Sequence, residues 1–196
     1  MAAQQRELFV TRLWQFALPE LHKHHAEWLT TIGRLRDKDP RAEVNTRSLR
    51  GGWKSGWRLL AHRSFAPLEQ AARRCFTEVF EQFELPANLA FNLHGEANWS
   101  ERHSYNVQHG HENCLLTGVY YLQVPEQSGD IIFHEPRLGA KYSPLQSPCT
   151  MASKPVAITP KPGELYIFPA WLEHSVSQSH SDEDRISIPI NAVRPV

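Results

Sequence analysis

His109 and His111 stand one residue apart at the mouth of an apolar run, in the segment HGHENCLLTGVYYLQ. The run is typical of a β-strand, and successive side chains on a strand point to opposite faces. The two imidazoles are therefore expected on one face, while Gly110 between them leaves the backbone open. Two imidazoles on one face can chelate a divalent metal ion, so the spacing predicts a metal site at this strand end.

A third histidine and an arginine follow in the C-terminal part of the chain. Pro162-Gly163 makes a turn, the segment ELYIFP alternates as a strand does, and His174 opens the next short strand. Three imidazoles could then converge on one ion. Further on, Arg185 and Ser187 share one face of the strand RISIPIN, where a guanidinium fork and a hydroxyl can bind one carboxylate.

These motifs, taken together in their order, resemble those of a known enzyme family. The segments HGH, TGVYYL, GELYIFP, WLEH and RIS are similar to motifs of the iron(II)- and 2-oxoglutarate-dependent oxygenases, in particular a bacterial and phage branch marked by an H-x-H motif. The resemblance covers roughly Trp99 to Asn191, and more faintly LFVTRLW and GGWKS upstream. It implies a double-stranded β-helix fold, an Fe(II) cofactor and 2-oxoglutarate as co-substrate.

The resemblance also implies roles for single residues. Two positions match iron ligands, His109 and His174. Four positions match groups that hold 2-oxoglutarate: Arg185 and Ser187 at its distal carboxylate, Tyr121 assisting there, and Asn106 nearby.

The third metal ligand departs from the pattern of the superfamily. Its usual set is two histidines and one carboxylate, with the carboxylate two residues after the first histidine, and that place is His111 here. Either His111 completes a three-histidine set, or Glu112 reaches the metal from the adjacent position. Regular alternation favours His111, because Glu112 then points away from His109. Three histidines make the metal centre one charge more positive than the usual set.

The implied reaction is hydroxylation of an unactivated C–H bond, coupled to oxidative decarboxylation of 2-oxoglutarate to succinate. The sequence carries no signature of the primary substrate, small molecule or peptide, because loops set specificity in jelly-roll enzymes. Two other classes fit part of the pattern. A cupin-like metalloenzyme without 2-oxoglutarate would use the three histidines but gives Arg185 and Ser187 no special role. A non-catalytic jelly-roll binding module would leave the histidines incidental.

The elements that must position these residues divide the chain into two parts. Residues 1–87 are expected to form a strand and helical support region, with a strand over Leu8–Leu18, a helix beginning at Pro19 and a second helix from about Pro67 to Glu84. Residues 88–196 are expected to form the jelly-roll core with the metal site, within one domain over residues 1–196. Its eight predicted strands are Leu89–Leu93, Ser104–His109, Leu115–Val124, Asp130–His134, Val156–Thr159, Glu164–Pro169, His174–Ser177 and Ile186–Ala192. The fold class is thus mainly β with flanking helices, an α+β double-stranded β-helix.

Several other segments are interpreted without a site. The loop Ser48–Trp57 is a connection pinned by two tryptophans or a cover for the site, and Leu138–Pro155 is a lid or a connection between sheets. In the HKHH segment, His22 to His25, helical phase sends His25 inward and the others to solvent. His134 is expected to be structural. Phe83 is expected on the buried side of the second helix.

Composition sets the remaining limits. The chain has 196 residues, is 41% hydrophobic and has equal numbers of acidic and basic residues, so no bulk charge favours a nucleic acid or an anionic membrane. The three cysteines, Cys75, Cys114 and Cys149, are odd in number and lack a CxxC spacing, and the N-terminal residues lack an apolar targeting segment. These features predict a reduced, cytoplasmic protein with no membrane partner. They give no indication of the oligomeric state.

Overall fold

The structure is a computed structural model that describes residues 3–4, 6–40, 48–83, 89–142 and 154–195. Its strands are β1 (Trp14–Ala17), β2 (Leu49–Arg50), β3 (Trp53–Lys54), β4 (Asn92–Gly95), β5 (Asn98–Ser100), β6 (Tyr105–His109), β7 (Leu116–Gln123), β8 (Ile131–Phe133), β9 (Val156–Ile158), β10 (Glu164–Pro169), β11 (His174–Val176) and β12 (Arg185–Val193). Its α-helices are α1 (His25–Lys38) and α2 (Ala66–Glu81). Short 3-10 helices cover Pro19–His24, Leu59–Ala61, Arg63–Phe65 and Leu138–Tyr142.

Two antiparallel sheets form the body of the fold. The larger sheet has the order β1-β10-β7-β12-β5-β3, with β4 also paired to β12, and the smaller has the order β2-β6-β11-β8-β9. Side chains from both sheets, including Tyr121 of β7 and Phe133 of β8, share one apolar core. The sheets therefore pack face to face, which is the predicted architecture: mainly β, with helices at the side.

Strict alternation along the central strands separates the two faces of the larger sheet. On β12, Ile186, Ile188, Ile190 and Ala192 enter a core shared with both helices, and the residues between them point the other way, towards the smaller sheet. On β7, Tyr120 belongs to the helix side and Tyr121 to the side between the sheets. Because side chains alternate with a period of two, one face of each of these strands packs in the helix-side core, and the other face is turned to the space between the sheets.

The eight predicted strands of the C-terminal part are all present, most within two residues of the predicted ends. The first begins later than predicted, at Asn92, because Leu89 and Phe91 pack against the helix-side core without strand pairing. Three short strands, β2, β3 and β5, were not predicted: β2 and β3 have two residues each, and β5 (NWS) contains no apolar run.

The helical region differs from the expectation at three points. The chain after Pro19 begins as a 3-10 helix, in which the Leu21 amide donates to the Leu18 carbonyl at 3.0 Å, because Leu18 supplies no side-chain cap. His24 is half-buried and stacks on Trp28, with ring centroids 5.4 Å apart. Phe83 lies beyond the end of α2, is 41% exposed and packs its ring on Trp14.

Other helical expectations are confirmed. His25 points inward, and its Nε2 lies 2.7 Å from the Tyr120 hydroxyl. Cys75 fills the core under α2. Glu84 and Cys149 lie outside the described residues, as does residue range 143–153 of the predicted long connection.

Candidate functional site

A cavity of about 750 Å³ lies between the two sheets. This volume is in the range of small-molecule sites. Its lining combines the cavity faces of β5, β6, β7, β11 and β12 with the loop after β6. Every predicted site residue lines it: Asn106, His109, His111, Tyr121, His174, Arg185 and Ser187.

Two neighbouring strands bring the first and third histidines together. His109 ends β6 and His174 begins β11, and the two residues are direct partners in the antiparallel pairing. Their ring centroids lie 4.4 Å apart. Cross-strand partners project from the same face, so two residues 65 positions apart become neighbours through strand pairing (174 minus 109).

His111 joins them from just beyond the end of β6. Its amide donates to the Ala170 carbonyl at 2.9 Å, which fixes the turn that follows Gly110. Its ring centroid lies 5.3 Å from those of both His109 and His174. One ligand atom from each of the three rings lies within 4.8 Å of the other two, so the arrangement can hold one metal ion.

Hydrogen bonds select the ring nitrogen that each strand histidine presents. His109 Nδ1 lies 2.8 Å from the Val107 carbonyl, and His174 Nδ1 lies 3.0 Å from the Leu172 carbonyl. A carbonyl only accepts, so each Nδ1 carries the proton and donates, which leaves the Nε2 lone pair for a metal.

Burial keeps the three imidazoles neutral. Desolvation lowers the pKa of His111 to about 4 and that of His174 to about 3, and it lowers the pKa of His109 as well. A metal ion binds the neutral imidazole, so the rings are in the binding form at neutral pH.

Glu112, the alternative third ligand, lies apart from this cluster. It is exposed at the rim of the cavity, and the group of close ligand atoms found among the described residues contains the three histidines alone. The structure thus places His111 rather than Glu112 beside His109, as strand alternation predicts, although His111 lies beyond the end of the paired strand β6.

Asn106 reaches the same cavity as His109 because β6 contains a bulge. His174 pairs with His109, and Val176 pairs with Asn106. The two partners on β6 are three positions apart in the sequence, whereas those on β11 are two positions apart. Because the bulge adds one extra residue to β6, Asn106 and His109 point to the same face although their spacing is an odd number. Asn106 is buried, and its Nδ2 donates to Ser48 Oγ at 3.2 Å.

The larger sheet supplies the opposite wall, with Arg185 at its closed end. Arg185 is 3% exposed, and it donates to the Gly129 carbonyl at 3.3 Å and to Ser100 Oγ at 3.5 Å. Its Nε is buried and makes no hydrogen bond among the described residues. Desolvation lowers the pKa of Arg185, but a guanidinium stays cationic. A buried cation with an unpaired donor that lines a cavity fits an anion such as a carboxylate.

Arg185 directly follows three acidic residues in the sequence, with which an arginine at the surface could form an ion pair. Two of those neighbours have other partners: Asp182 pairs with Arg102, and Asp184 accepts from Trp99 Nε1 at 2.8 Å. Arg185 is therefore directed inward rather than to the surface.

Ser187 and Tyr121 complete this end of the cavity. They are direct partners between β12 and β7, and both are buried. Burial raises the pKa of Tyr121, so its hydroxyl stays protonated and can donate.

Sequence reasoning missed a second polar group in the cavity wall. Lys54 Nζ lies 2.7 Å from Glu96 Oε1, and Asn98 lies next to Lys54 in the pairing of β3 with β5. Lys54 and Glu96 are 42 residues apart in the sequence, and no local pattern connects them. The loop Ser48–Trp57 thus combines both interpretations, since it forms β2 and β3 and also lines the cavity.

Two histidine groups stay outside the site. His134 Nε2 lies 2.9 Å from Ser175 Oγ, which supports a structural role. The HKHH segment packs against Trp28 and Tyr120 on the helix side of the larger sheet.

Comparison with known proteins agrees with this geometry. A family model described as "Putative 2OG-Fe(II) oxygenase" matches residues 97–191, the segment that carries the whole constellation. The chain matches this family model over just under half of its length, which supports the 2-oxoglutarate- and iron(II)-dependent oxygenase superfamily. It is accordingly an oxidoreductase that uses Fe(II) and 2-oxoglutarate. No curated protein sequence matches it.

Solved structures of low sequence identity share the fold. A prolyl-4-hydroxylase of Pseudomonas putida has a TM-score of 0.69 at 13% identity, with 95% of this chain and 94% of that chain covered. HygX of Streptomyces hygroscopicus, solved with nickel and 2-oxoglutarate bound, has a TM-score of 0.62 at 11% identity, with 94% and 83% covered. A prolyl hydroxylase of Trichoplax adhaerens, solved with a peptide fragment of the hypoxia inducible factor, has a TM-score of 0.64 at 13% identity, with 92% and 83% covered. The double-stranded β-helix fold is thereby confirmed.

The described helices also bear on membrane association. Within the part of the chain that the structure describes, no helix is both long and apolar enough to cross a membrane.

Proposed function

We propose that His109, His111 and His174 bind Fe(II), and that Arg185 with Ser187 binds the distal carboxylate of 2-oxoglutarate, in a dioxygenase that hydroxylates a small molecule or a peptide. The observation that carries this proposal is the buried Arg185, whose Nε has no partner among the described residues and which lines the same cavity as the three imidazoles. When bound, iron and 2-oxoglutarate supply the oxidising chemistry: activation of dioxygen with loss of carbon dioxide, leaving succinate.

The protein residues bind and orient. The two strand histidines present Nε2 because the Val107 and Leu172 carbonyls hold their Nδ1 protons. Arg185 supplies charge-assisted hydrogen bonds at the closed end of the cavity, and the hydroxyls of Ser187 and Tyr121 add directional donors beside it. Asn106 supports this end from the smaller sheet. The two sheets exclude bulk water, which strengthens each of these contacts.

Arg185 is also what separates this proposal from a cupin-like metalloenzyme without 2-oxoglutarate. That class needs the three histidines only, and it offers no reason to bury an arginine in the wall facing them. Burying a cation that forms no ion pair among the described residues costs free energy, so an anionic ligand is the natural explanation for it.

The support region and the cellular setting are part of the same proposal. We propose that residues 1–87 brace the larger sheet, since Leu68, Phe76 and Trp28 share its helix-side core. Residues 88–196 then carry the site, in a single domain over residues 1–196. A reduced cytoplasmic location suits an Fe(II) enzyme, and the balanced charge supports no nucleic-acid partner.

The deciding experiment is a titration with 2-oxoglutarate of protein that has been loaded anaerobically with Fe(II). Binding is measured by calorimetry and by the absorbance of the iron–2-oxo acid chelate. Arg185→Ala should lower 2-oxoglutarate affinity by about thirtyfold or more, because a desolvated charge-assisted contact is lost. Fe(II) affinity should stay close to that of the wild type, which also reports that the variant folds.

Arg102→Ala is the matched control, because Arg102 forms an exposed ion pair with Asp182 and should leave 2-oxoglutarate affinity unchanged. Arg185→Lys keeps the charge and should bind more tightly than Arg185→Ala. Equal affinity in the wild type and Arg185→Ala, or binding to neither, would overturn the proposal while leaving the metal site to be judged on its own.

A further inference from the structure

A row of polar side chains crosses the cavity face of the larger sheet, and the proposed function uses only one end of it. Lys54 pairs with Asn98, Asn98 with Ser187 and Ser187 with Tyr121 on four adjacent strands. Ser187 and Tyr121 belong to the co-substrate end. Lys54 and Asn98, together with Glu96, have no role there.

The ion pair in this row is buried inside the cavity wall. Lys54 Nζ and Glu96 Oε1 are 2.7 Å apart, and the side chains are 10% and 1% exposed. A buried ion pair adds little stability over an apolar pair of the same size, because desolvation offsets the attraction. Glu96 Oε1 accepts one of the three N–H donors of the ammonium, and Lys54 faces the cavity with the others.

Lys54 also lines the cavity that contains the candidate metal centre, together with His109, His111 and His174. A molecule that contacts Lys54 would therefore be held beside the place where oxidation takes place.

Asn98 provides a second, complementary group. It is 6% exposed, and its Oδ1 is buried without a hydrogen-bond partner among the described residues. A buried acceptor without a donor costs free energy, so a ligand that brings an N–H or O–H there is favoured. 2-Oxoglutarate is a dianion with no such donor.

The charges in the cavity favour an anionic primary substrate. The two charges of Fe(II) and those of the 2-oxoglutarate dianion cancel, because three neutral imidazoles contribute none. Arg185, Lys54 and Glu96 are the buried charged residues that line the cavity in the described part of the chain, and together they leave one positive charge; Glu112 also lines the cavity but is exposed at its rim, where water and salt screen its charge. A ligand with one negative charge balances that positive charge.

We propose that Lys54, held in place by Glu96, binds a carboxylate of the primary substrate, and that Asn98 Oδ1 accepts a hydrogen bond from an N–H or O–H beside that carboxylate. The substrate class is a monoanionic α-hydroxy acid or N-acylated amino acid. This inference rests on the proposed function, because Lys54 acts next to the iron and 2-oxoglutarate that the proposed function places in the cavity.

The test uses the whole 196-residue chain, loaded anaerobically with Mn(II) and saturated with 2-oxoglutarate. The probes are the N-acetyl derivatives of the common L-amino acids and their C-terminal carboxamides, which have nearly the same size but no charge. Calorimetry measures the affinity of each acid and its amide, and retention of 2-oxoglutarate is measured alongside to show that the acid has not displaced it. At least one acid should bind about tenfold or more tightly than its amide.

Three variants separate substrate binding from a structural role. Lys54→Met should bring the ratio of the affinity for the acid to the affinity for its amide close to one. Glu96→Gln should keep or raise the ratio, because Lys54 retains its charge and loses the carboxylate that competes for it. The double variant Lys54→Met with Glu96→Gln leaves no unpaired buried charge, so it should fold and still lack the preference.

The outcomes distinguish this inference from the proposed function. If the wild type fails to bind 2-oxoglutarate, the proposed function is wrong and this inference falls with it. If 2-oxoglutarate binds but no acid does, or acids and amides bind equally, only this inference is overturned. A ratio that survives in the double variant overturns it as well, since the ion pair would then be structural.

Discussion

At the scale of single residues, the third metal ligand is the choice that matters most. His111 lies with its ring 5.3 Å from the other two, whereas Glu112 is exposed at the rim. We predict that His111→Ala lowers Fe(II) affinity by at least about tenfold, because a ligand bond is lost, and that Glu112→Ala changes it by less than about threefold. Anaerobic Fe(II) titrations of both variants and the wild type check this. The reverse order would assign the third ligand to Glu112.

The buried imidazoles also predict how metal binding depends on pH. Ordinary histidines with a pKa near 6.5 would each lose about tenfold in neutral population between pH 7.5 and 5.5. Here burial lowers the pKa of His111 to about 4 and that of His174 to about 3, so these two rings stay deprotonated throughout that interval. Mn(II) affinity measured by calorimetry should therefore change by less than about tenfold between pH 7.5 and 5.5. A thousandfold loss would show that the rings titrate as exposed histidines.

The site residues differ in how far the sequence could predict them. His109 with His111, and Arg185 with Ser187, are visible because each pair lies two residues apart and strand alternation relates them. Lys54 meets Glu96, 42 residues away, and Asn98 only because β3 pairs with β5, and no local period encodes that pairing. The order of the motifs, rather than any one of them, carried the assignment of the family.

At the scale of elements, the contact between α2 and β7 limits what the sheet tolerates. A Cβ added at Gly118 would lie 2.7 Å from the Tyr166 carbonyl oxygen and 3.2 Å from Phe76 Cζ. We predict that Gly118→Ala lowers the free energy of unfolding by about 1–3 kcal/mol or more, because backbone and helix must shift. Urea denaturation measures it.

Gly33→Ala is the matched control in α1, where an added Cβ meets nothing within 4 Å. It should raise the free energy of unfolding by about 0.5–1 kcal/mol, since alanine is the better helix former. Equal effects of the two substitutions would mean that Gly118 does not hold α2 and β7 in close contact.

Irregularities in the strands were harder to predict than the strands themselves. The bulge in β6 puts Asn106 and His109 on one face although they lie three positions apart, which a regular period of two forbids. The resemblance predicts Asn106 near the co-substrate, and Asn106 does line the cavity, whereas alternation alone would have turned it away. The bulge arises from the pairing of β6 with β11. Pairing depends on two strands, so the sequence of β6 alone does not predict the bulge.

At the scale of the whole molecule, the two halves of the site lie on different sheets. The histidines belong to the smaller sheet and the loop beside it, and Arg185, Ser187 and Tyr121 belong to the larger sheet. A ligand held by both groups therefore joins the sheets across the cavity, whereas a metal ion alone is held from one side. The two ligands should consequently stabilise the fold in separable steps.

We predict that a metal ion raises the melting temperature, and that 2-oxoglutarate at about a hundredfold excess over its Kd adds a further rise of roughly 5–10 °C. Such an excess corresponds to about 2.7 kcal/mol of stabilisation, and each kcal/mol shifts the melting temperature of a chain of this size by roughly 2–4 °C. Differential scanning calorimetry with Mn(II), with and without 2-oxoglutarate, measures both steps. Arg185→Ala should keep the metal step and lose most of the second at the same ligand concentration, and His174→Ala should lose both. A second step of full size in Arg185→Ala would mean that 2-oxoglutarate, if it binds, is not anchored by the larger sheet.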